Sequence, residues 1–368
     1  MNKGTNKEER YLNASTRQLV WWAYKKHFLA MVGLIAIVGL YISAVFCEFL
    51  SPYDKDTRHF EHVYAPPSTI RLMDQDGRLR WPFIYASVME IDMETQAIRY
   101  VECPDIAYPI EFFVRGDPYY FWGLWRTNIH LFGVRKPGKI FLFGTDRMGR
   151  DMFSRCLYGS RISLSIGMLG VMLSLGLGLL FGGVSGYFGG LADGVIQRVI
   201  EIIRCFPSIP LWMGLSAAMP PHWPSLKVYF VITLIISLIG WTDLARMVRG
   251  KLMALREEEF VLAARFAGAG PFRIIFRHLL PSFTSHIIVT VTLAIPSMIL
   301  AETALSFLGI GLRPPITSLG VLLKEAQNVT TIALYPWLLI PVAFVIATVL
   351  AFNFVGDGLR DAVDPYSR

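Results

Sequence analysis

The stretch RMVRGKLMALREEEFVLAARFAGAGPFRIIFRHLLP, Arg246 to Pro281, decides how the chain is read. It is the one long charged segment in the C-terminal two-thirds, and apolar runs flank it on both sides. The residues spell two short helices joined at a glycine turn. Glu257, Glu258 and Glu259 open the first helix, where carboxylates suit the free amides and the positive end of the helix dipole. Ala263, Ala264 and Ala267 give that helix a smooth face. Gly268, Ala269 and Gly270 break it, and Pro271 restarts a helix at a first-turn position that needs no N–H. Arg273 and Arg277 ride the second helix, which Pro281 is expected to end. A short, rigid, basic elbow of this kind suits insertion into a cleft on another protein.

Composition outside the elbow points to a membrane. Of 368 residues 54% are hydrophobic and 17% charged, with a mean hydropathy of +0.45. Roughly 20 apolar residues cross a hydrocarbon core, and six stretches qualify: Phe28 to Leu50, Ile162 to Gly186, Asp193 to Met219, Val228 to Thr242, Thr284 to Phe307 and Tyr335 to Phe354. Ser15 caps a short interfacial helix carrying Trp21, Trp22 and Tyr24 ahead of the first. Arg198, Glu201 and Arg204 are spaced to pair with one another in the third, and Pro207 and Pro210 to kink it. The turn Asp243 to Val248 leads from the fourth into the elbow, and Pro296 interrupts the fifth. Between the last two, 309–334 forms a re-entrant or external cap with a short helix over Val321 to Gln327. Gly178, Gly182, Gly186 and Gly190 recur every fourth residue, a groove for a close neighbour either within the chain or on a second subunit.

Six spans put both termini on one side. That side carries Lys3, Lys7, Arg10, Arg17, Lys25 and Lys26, together with Arg246, Arg249, Lys251, Arg256, Arg265, Arg273 and Arg277 of the elbow. The short opposite loops hold only Lys227, Arg313 and Lys324, so termini and elbow are expected in the cytoplasm. The polar region 51–158 then lies outside. Its alternating bursts, Ile70 to Met73, Leu79 to Pro82, Ile110 to Val114 and Tyr119 to Trp122, with a turn at Asp74 to Gly77, predict a β-rich insert. The resulting division is a cytoplasmic interfacial segment 1–27, a first span 28–50, the insert 51–158, a transmembrane domain 159–358 containing the elbow 246–281, and a tail 359–368.

Chemistry is hard to find in the chain. Gly133 to Lys139 mimics phosphate-cradling spacing, yet Ile140 stands where Ser or Thr is needed. His59 and His62 lack a third ligand, and Cys47, Cys103, Cys156 and Cys205 show no metal or disulfide spacing. With no nucleophile beside a base, the chain reads as a non-catalytic subunit that needs energy from elsewhere. Glu302, ionisable within a span, is either a functional polar site or a hydrogen bond between helices. Asp243 and Asn353 read as caps at span boundaries.

Leu262-Ala263-Ala264, Gly268 and His278-Leu279-Leu280-Pro281 together resemble the EAA loop of bacterial ABC importer permeases, and the flanking residues resemble the dipeptide and oligopeptide subfamily, second-permease type. The resemblance extends to Gly144 to Asp151, Ile299 to Gly309 and Gly356 to Asp361. Leu262 replaces the motif's Glu, so no role of that Glu carries over. The resemblance implies an all-α membrane protein with the six transmembrane helices of the type I importer permease fold, the β-rich extracytoplasmic insert lying between helices one and two. It implies residence in the bacterial inner membrane among lipid, beside a homologous second permease, two ABC ATPase subunits and an extracytoplasmic solute-binding protein. ATP and Mg would sit on the ATPases, with no cofactor, metal or nucleic acid on this chain. Glu258, Glu259, Ala263, Ala264, Arg265, Gly268 and Ala269 would make the coupling contact, although Gly268 also suits an ordinary helix cap. Peptides are the implied cargo; nickel, glutathione or opine systems share the motifs. A secondary transporter fits less well, since Glu302 stands alone without an obvious repeat, and a DNA-binding elbow tethered by spans at both ends could not enter a groove.

Overall fold

The computed structural model describes residues 14–74, 77–91, 98–220 and 222–363. Lys3, Lys7 and Arg10, the turn residues Gln75 and Asp76, and the end of the tail fall outside these. In chain order come helices α1 (Thr16–Lys26) and α2 (Phe28–Val45), strands β1 (Arg71–Met73), β2 (Leu79–Ile91), β3 (Ile98–Phe121) and β4 (Trp125–Val134), then the long helix α3 (Met152–Phe188). Next are α4 (Gly190–Cys205), α5 (Ser208–Ala217), α6 (Ser225–Leu255), α7 (Glu259–Phe266), α8 (Thr284–Phe307), α9 (Leu319–Glu325), α10 (Val329–Leu334) and α11 (Ile340–Val363).

Among the described residues, α2, α3, α6, α8 and the stretch Pro336–Val363 are long and apolar enough to cross a membrane. The expected third span is instead two helices, α4 and α5, bent by 84°. Proline causes the break: Phe206 before it is extended (φ −85°, ψ 134°), as the Pro207 ring demands of its predecessor. Pro210, expected to kink as well, sits in the first turn of α5, where its missing N–H is harmless. Arg198 pairs with Glu201 at 2.7 Å, but Arg204 pairs with Asp243. Asp243 is therefore an ion-pair partner inside α6 and not a cap; Asn353 likewise lies within α11.

The described chain forms two compact units. One comprises residues 14–39, 165–305 and 346–363. It begins with the expected cap: the Gln18 amide donates to Ser15 Oγ and the Ser15 amide to Gln18 Oε1, a reciprocal capping box. Tyr24, Ala30 and Ala362 form a small core between α1, α2 and α11. The glycine stripe also has a definite neighbour. A Cβ on Gly178 would lie 2.6 Å from Leu244 Cβ, on Gly182 2.5 Å from the Ala245 carbonyl oxygen, and on Gly186 2.8 Å from that of Arg249. Three of the four glycines thus seat α3 directly on α6 of the same chain, while Gly190 faces open space.

The other unit comprises residues 40–164 and 306–345. It holds the expected β insert, one antiparallel sheet in the order β1-β2-β3-β4. The β1–β2 hairpin closes with Asp74 and Arg78 bonded through their backbones and Gly77 at φ +72°. Ile84, Ile110, Val134 and Ile140 form the core beneath the sheet. Gly144 to Asp151 is a loop that requires its glycines: Gly149 has φ +70°, and a Cβ there would strike the His59 carbonyl oxygen at 2.1 Å. The cap region is two short helices, α9 and α10, with Ser318 and Asn328 as N-caps.

Candidate functional site

The elbow is built by its helix ends. Helix α6 runs unbroken to Leu255, so no turn separates span from elbow at Asp243 to Val248. Glu258 is the extended residue before α7, its carbonyl oxygen accepting from the Val261 and Leu262 amides at 2.9 and 3.1 Å. Glu257 to Glu259 are exposed around the amide end, as charge on a helix dipole favours. At the far end Gly268 adopts φ +79°; its amide donates to the Arg265 carbonyl at 2.9 Å and the Ala269 amide to that of Ala264 at 3.0 Å. These two bonds are the Schellman motif, closed by the expected apolar contact of Ala264 and Ala269 with one core. Pro271 then opens a second helical run.

That run differs from expectation. Ile274–Leu279 is π-helical, the Leu280 amide reaching back to the Ile275 carbonyl, and helix continues through Pro281 to Ser282 before a break at Phe283. Pro281 does not end the run: a wide turn accommodates a ring that would clash with an ordinary helical turn.

One side of the elbow is core and the other is open. Val261, Ile274, Ile275, Leu279 and Leu280 are buried with Val248 and Leu252 of α6 and Phe283. Glu258, Glu259, Ala263, Arg265 and Gly268 are exposed on the outer side, whereas Ala264 and Ala269 are half-buried and turn inward. The Arg265 guanidinium stacks over the Tyr187 ring at 5.3 Å, which orients it. The outer side also carries large aromatics that sequence reasoning passed over: Phe266 is 91% exposed and Phe272 70%, with Phe260 and Phe276 nearby in the chain. The signal was in the helical spacing: five residues after the inward-facing Val261, Phe266 falls roughly 140° round α7, on the opposite side.

A clamp secures the base of the elbow. Arg249 of α6 donates to both carboxylate oxygens of Asp193 at 2.6 Å, Ser185 of α3 adds a hydroxyl at 2.5 Å, and Gln197 of α4 supports Ser185 at 3.2 Å. Three helices therefore meet at one carboxylate. Glu302 is not part of this site. It is fully buried in α8, beside buried Thr303, and 18 residues beyond Thr284, about 27 Å along the helix axis.

The Gly144 to Asp151 block has a structural role. Asp146 accepts from Arg150 Nε at 2.7 Å and Arg155 Nη1 at 2.5 Å, and Glu325 of α9 accepts from Arg155 at 2.7 and 3.0 Å and from Arg150 at 3.0 Å. Burial alone would raise the Glu325 carboxyl, but the Arg155 hydrogen bonds and the surrounding guanidinium charges hold it below its usual range. Asp151, capping α3 through Ser154, is pushed up to about 6 by burial. His59 is lowered to about 4 by burial and by Lys139, whose ammonium donates to its Nδ1 at 2.9 Å.

Residues 178–368 match the family of binding-protein-dependent transport system inner membrane components. The chain belongs to this permease family. A second match, to the N-terminal transmembrane domain of oligopeptide transport permease C, covers residues 15–67 of the permease. The permease is 38% identical to the oligopeptide transport system permease protein OppC of Bacillus subtilis (strain 168) over 66% of this chain and 77% of that one. It is 40% identical to the dipeptide transport system permease protein DppC of the same organism, over 63% and 71%. Against OppC of Haemophilus influenzae the identity is 40% over 61% and 70%. Among solved structures, the inward-facing MetNI methionine ABC transporter aligns at a TM-score of 0.46 and 17% identity, covering 58% of this chain and 98% of that one.

Proposed function

We propose that this permease lines half of a transmembrane path for peptides in an ATP-driven importer and takes its energy through the elbow. Relatives that transport oligopeptides and dipeptides support the cargo. The carrying observation is the two-sidedness of the elbow: one face fused to the end of α6, the other presenting Phe266 and the exposed Glu258, Glu259, Ala263, Arg265 and Gly268. Ala264 and Ala269 contribute by fixing the Schellman turn that presents them.

Such a surface, acidic at one end and apolar at its tip, suits a cleft on a cytoplasmic ATPase subunit. Two such subunits would carry the ATP and Mg, a second permease would complete the path, and an extracytoplasmic binding protein would deliver cargo. The bent pair α4–α5 serves as the sixth membrane segment, leaving both termini and the elbow in the cytoplasm and the β insert outside; the basic excess near α1 and the elbow supports this orientation. Movement of the ATPases reaches the spans because the elbow is not hinged on α6: the shared core, the glycine contacts of α3 and the Asp193–Arg249 clamp make α3, α4, α6 and the elbow one body. Glu302 either faces the path in one of its states or bonds helices together.

Sealed vesicles holding the permease pair with the elbow side enclosed, and with binding protein and labelled peptide added outside on the insert side, test the reading. ATP supplied with the ATPases on the elbow side drives uptake, and a Phe266→Ser permease assembles with reduced uptake. Uptake driven by an ion gradient without ATP refutes it.

A further inference from the structure

The long β3–β4 hairpin does not stand clear of the first span. Its contacts descend the helix end in step. His130 Nδ1 lies 2.5 Å from the Ser51 carbonyl oxygen, Phe113 packs on Phe49 at 6.1 Å between ring centroids, Phe121 on Phe46 at 5.9 Å, and Trp122 Nε1–H donates to the Val45 carbonyl at 3.0 Å. From Ser51 to Val45 is six residues of largely helical chain, about 9 Å at 1.5 Å per residue. The hairpin tip therefore hangs back alongside the apolar helix, away from the body of the sheet.

The tip is built unlike a water-facing loop. No charged residue occurs from Pro118 to Trp125. The turn Phe121-Trp122-Gly123-Leu124 closes with the Leu124 amide donating to the Phe121 carbonyl at 2.9 Å, with Trp122 at φ +53° and Gly123 at φ +71°, the paired left-handed residues of a type I′ turn. A tryptophan in that region is strained, where asparagine or glycine would be relaxed. The strain holds a large amphipathic ring at the apex: Trp122 is 54% exposed, Leu124 71% and Trp125 68%. Around them the helix contributes exposed Ile42, Val45 and Phe46, so the apolar surface of the tip is continuous with the flank of the span. The Arg161 guanidinium lies 5.0 Å over the Trp122 ring, donates to the Ala44 carbonyl at 2.7 Å and pairs with Glu48, so a charged group sits beside the tip at the level of the Trp122 ring. Indole rings at an apolar boundary, with a charged group stacked beside them, are the arrangement of a membrane-interface belt.

We propose that this hairpin tip is immersed in the headgroup–acyl boundary of the leaflet on the insert's side, with Trp122, Leu124 and Trp125 as a lipid anchor that holds the β insert down on the bilayer. The proposal rests on α2 being a membrane span, and the continuity of the two apolar surfaces selects lipid as the occupant over a soluble partner.

The test uses the full permease in lipid vesicles, with Cys103 and Cys205 replaced by Ser and one nitroxide-labelled cysteine introduced at a time, Leu124→Cys, Ile42→Cys or Val101→Cys. Each position is exposed, and Val101 is 20 residues back along β3 from Phe121. Collision of the nitroxide with oxygen, which concentrates in lipid, is compared with collision with a water-soluble nickel chelate. The oxygen-to-nickel ratio is expected to be several-fold higher at Leu124→Cys than at Val101→Cys, approaching that at Ile42→Cys. A water-like ratio at Leu124→Cys beside a lipid-like ratio at Ile42→Cys overturns the anchor and leaves the tip as a surface for a soluble protein. A water-like ratio at Ile42→Cys overturns the spanning role of α2 itself.

Discussion

Gly268 separates a docking residue from a mere helix terminator, because its two roles rank substitutions in opposite orders. A Cβ there meets nothing within 4 Å, so alanine costs no clash, only the left-handed backbone at φ +79°. That cost is about 1–2 kcal/mol for an ordinary L residue and less for asparagine or aspartate, which tolerate this region better. If the glycine only terminates α7 through the Schellman bonds, Gly268→Ala is the more damaging of the two substitutions, and Gly268→Asp is milder in both stability and transport. If the face docks on an ATPase, Gly268→Ala keeps most activity, while Gly268→Asp buries an unpaired carboxylate at the contact. A penalty of only about 1.4 kcal/mol there is a tenfold loss of productive coupling. ATP-driven peptide uptake in proteoliposomes, read beside thermal unfolding and co-purification of the ATPases, gives both orders in one set of samples. We expect unfolding to rank Asp at or above Ala, uptake to rank Ala at least tenfold above Asp, and the complex to remain assembled. Uptake that simply tracks thermal stability refutes the docking assignment.

Gly182→Ala places a methyl 2.5 Å from the Ala245 carbonyl oxygen, and the backbone it meets cannot swing away, so a loss of about 1–3 kcal/mol is expected; Gly176→Ala, in the same helix with nothing within 4 Å, should be neutral or stabilising by up to about 1 kcal/mol, and equal melting shifts for the two would disprove the α3–α6 contact. Glu325→Leu removes the carboxylate that Arg150 and Arg155 share and should lower stability by about 3–5 kcal/mol, measured by thermal unfolding; a change below 1 kcal/mol would show the cluster to be dispensable. Because the folded Glu325 carboxyl is depressed, its stabilisation is present at neutral pH and lost only as pH falls through its folded value, below the ordinary carboxylate range. His59 acts at milder acidity: its folded value near 4 lies below the ordinary 6.5, the unfolded chain binds the extra proton, and stability falls as pH drops from 6.5 towards 4. At pH 5 the loss is at most about 2 kcal/mol, and His59→Gln should remove that fall between pH 7 and 5, leaving the opposite contribution of Asp151, whose raised carboxyl gains its proton in the folded state there; an unchanged slope would exclude His59 as the source.

Much of this architecture was legible because it is written locally. A run of apolar residues long enough to cross hydrocarbon, a Ser15-to-Gln18 capping box, and a Gly268 followed by Pro271 each act on their own few residues. The elbow's two helices and the β-rich insert were therefore visible before any contact was known. The misplaced boundaries have equally local causes. The segment from Asp243 to Val248 looked like a turn, yet α6 continues because Ala245, Val248 and Leu252 are buried against the elbow and α3. Pro281 looked like a stop, and the π turn before it absorbs the ring.

The sequence by itself determined which segments are apolar enough for a membrane, where the elbow turns, and to which permease family the chain belongs. Only the tertiary structure decided that the glycine stripe seats α3 on α6, that Glu325 closes on Arg155 from 170 positions away, that α4 and α5 part at 84°, and which side of the elbow is free. The physical reason is range. Capping, propensity and hydropathy act over a few residues, whereas the partner of a buried charge or of a bare helix face is chosen by packing, among residues whose separation along the chain carries no information about their separation in space.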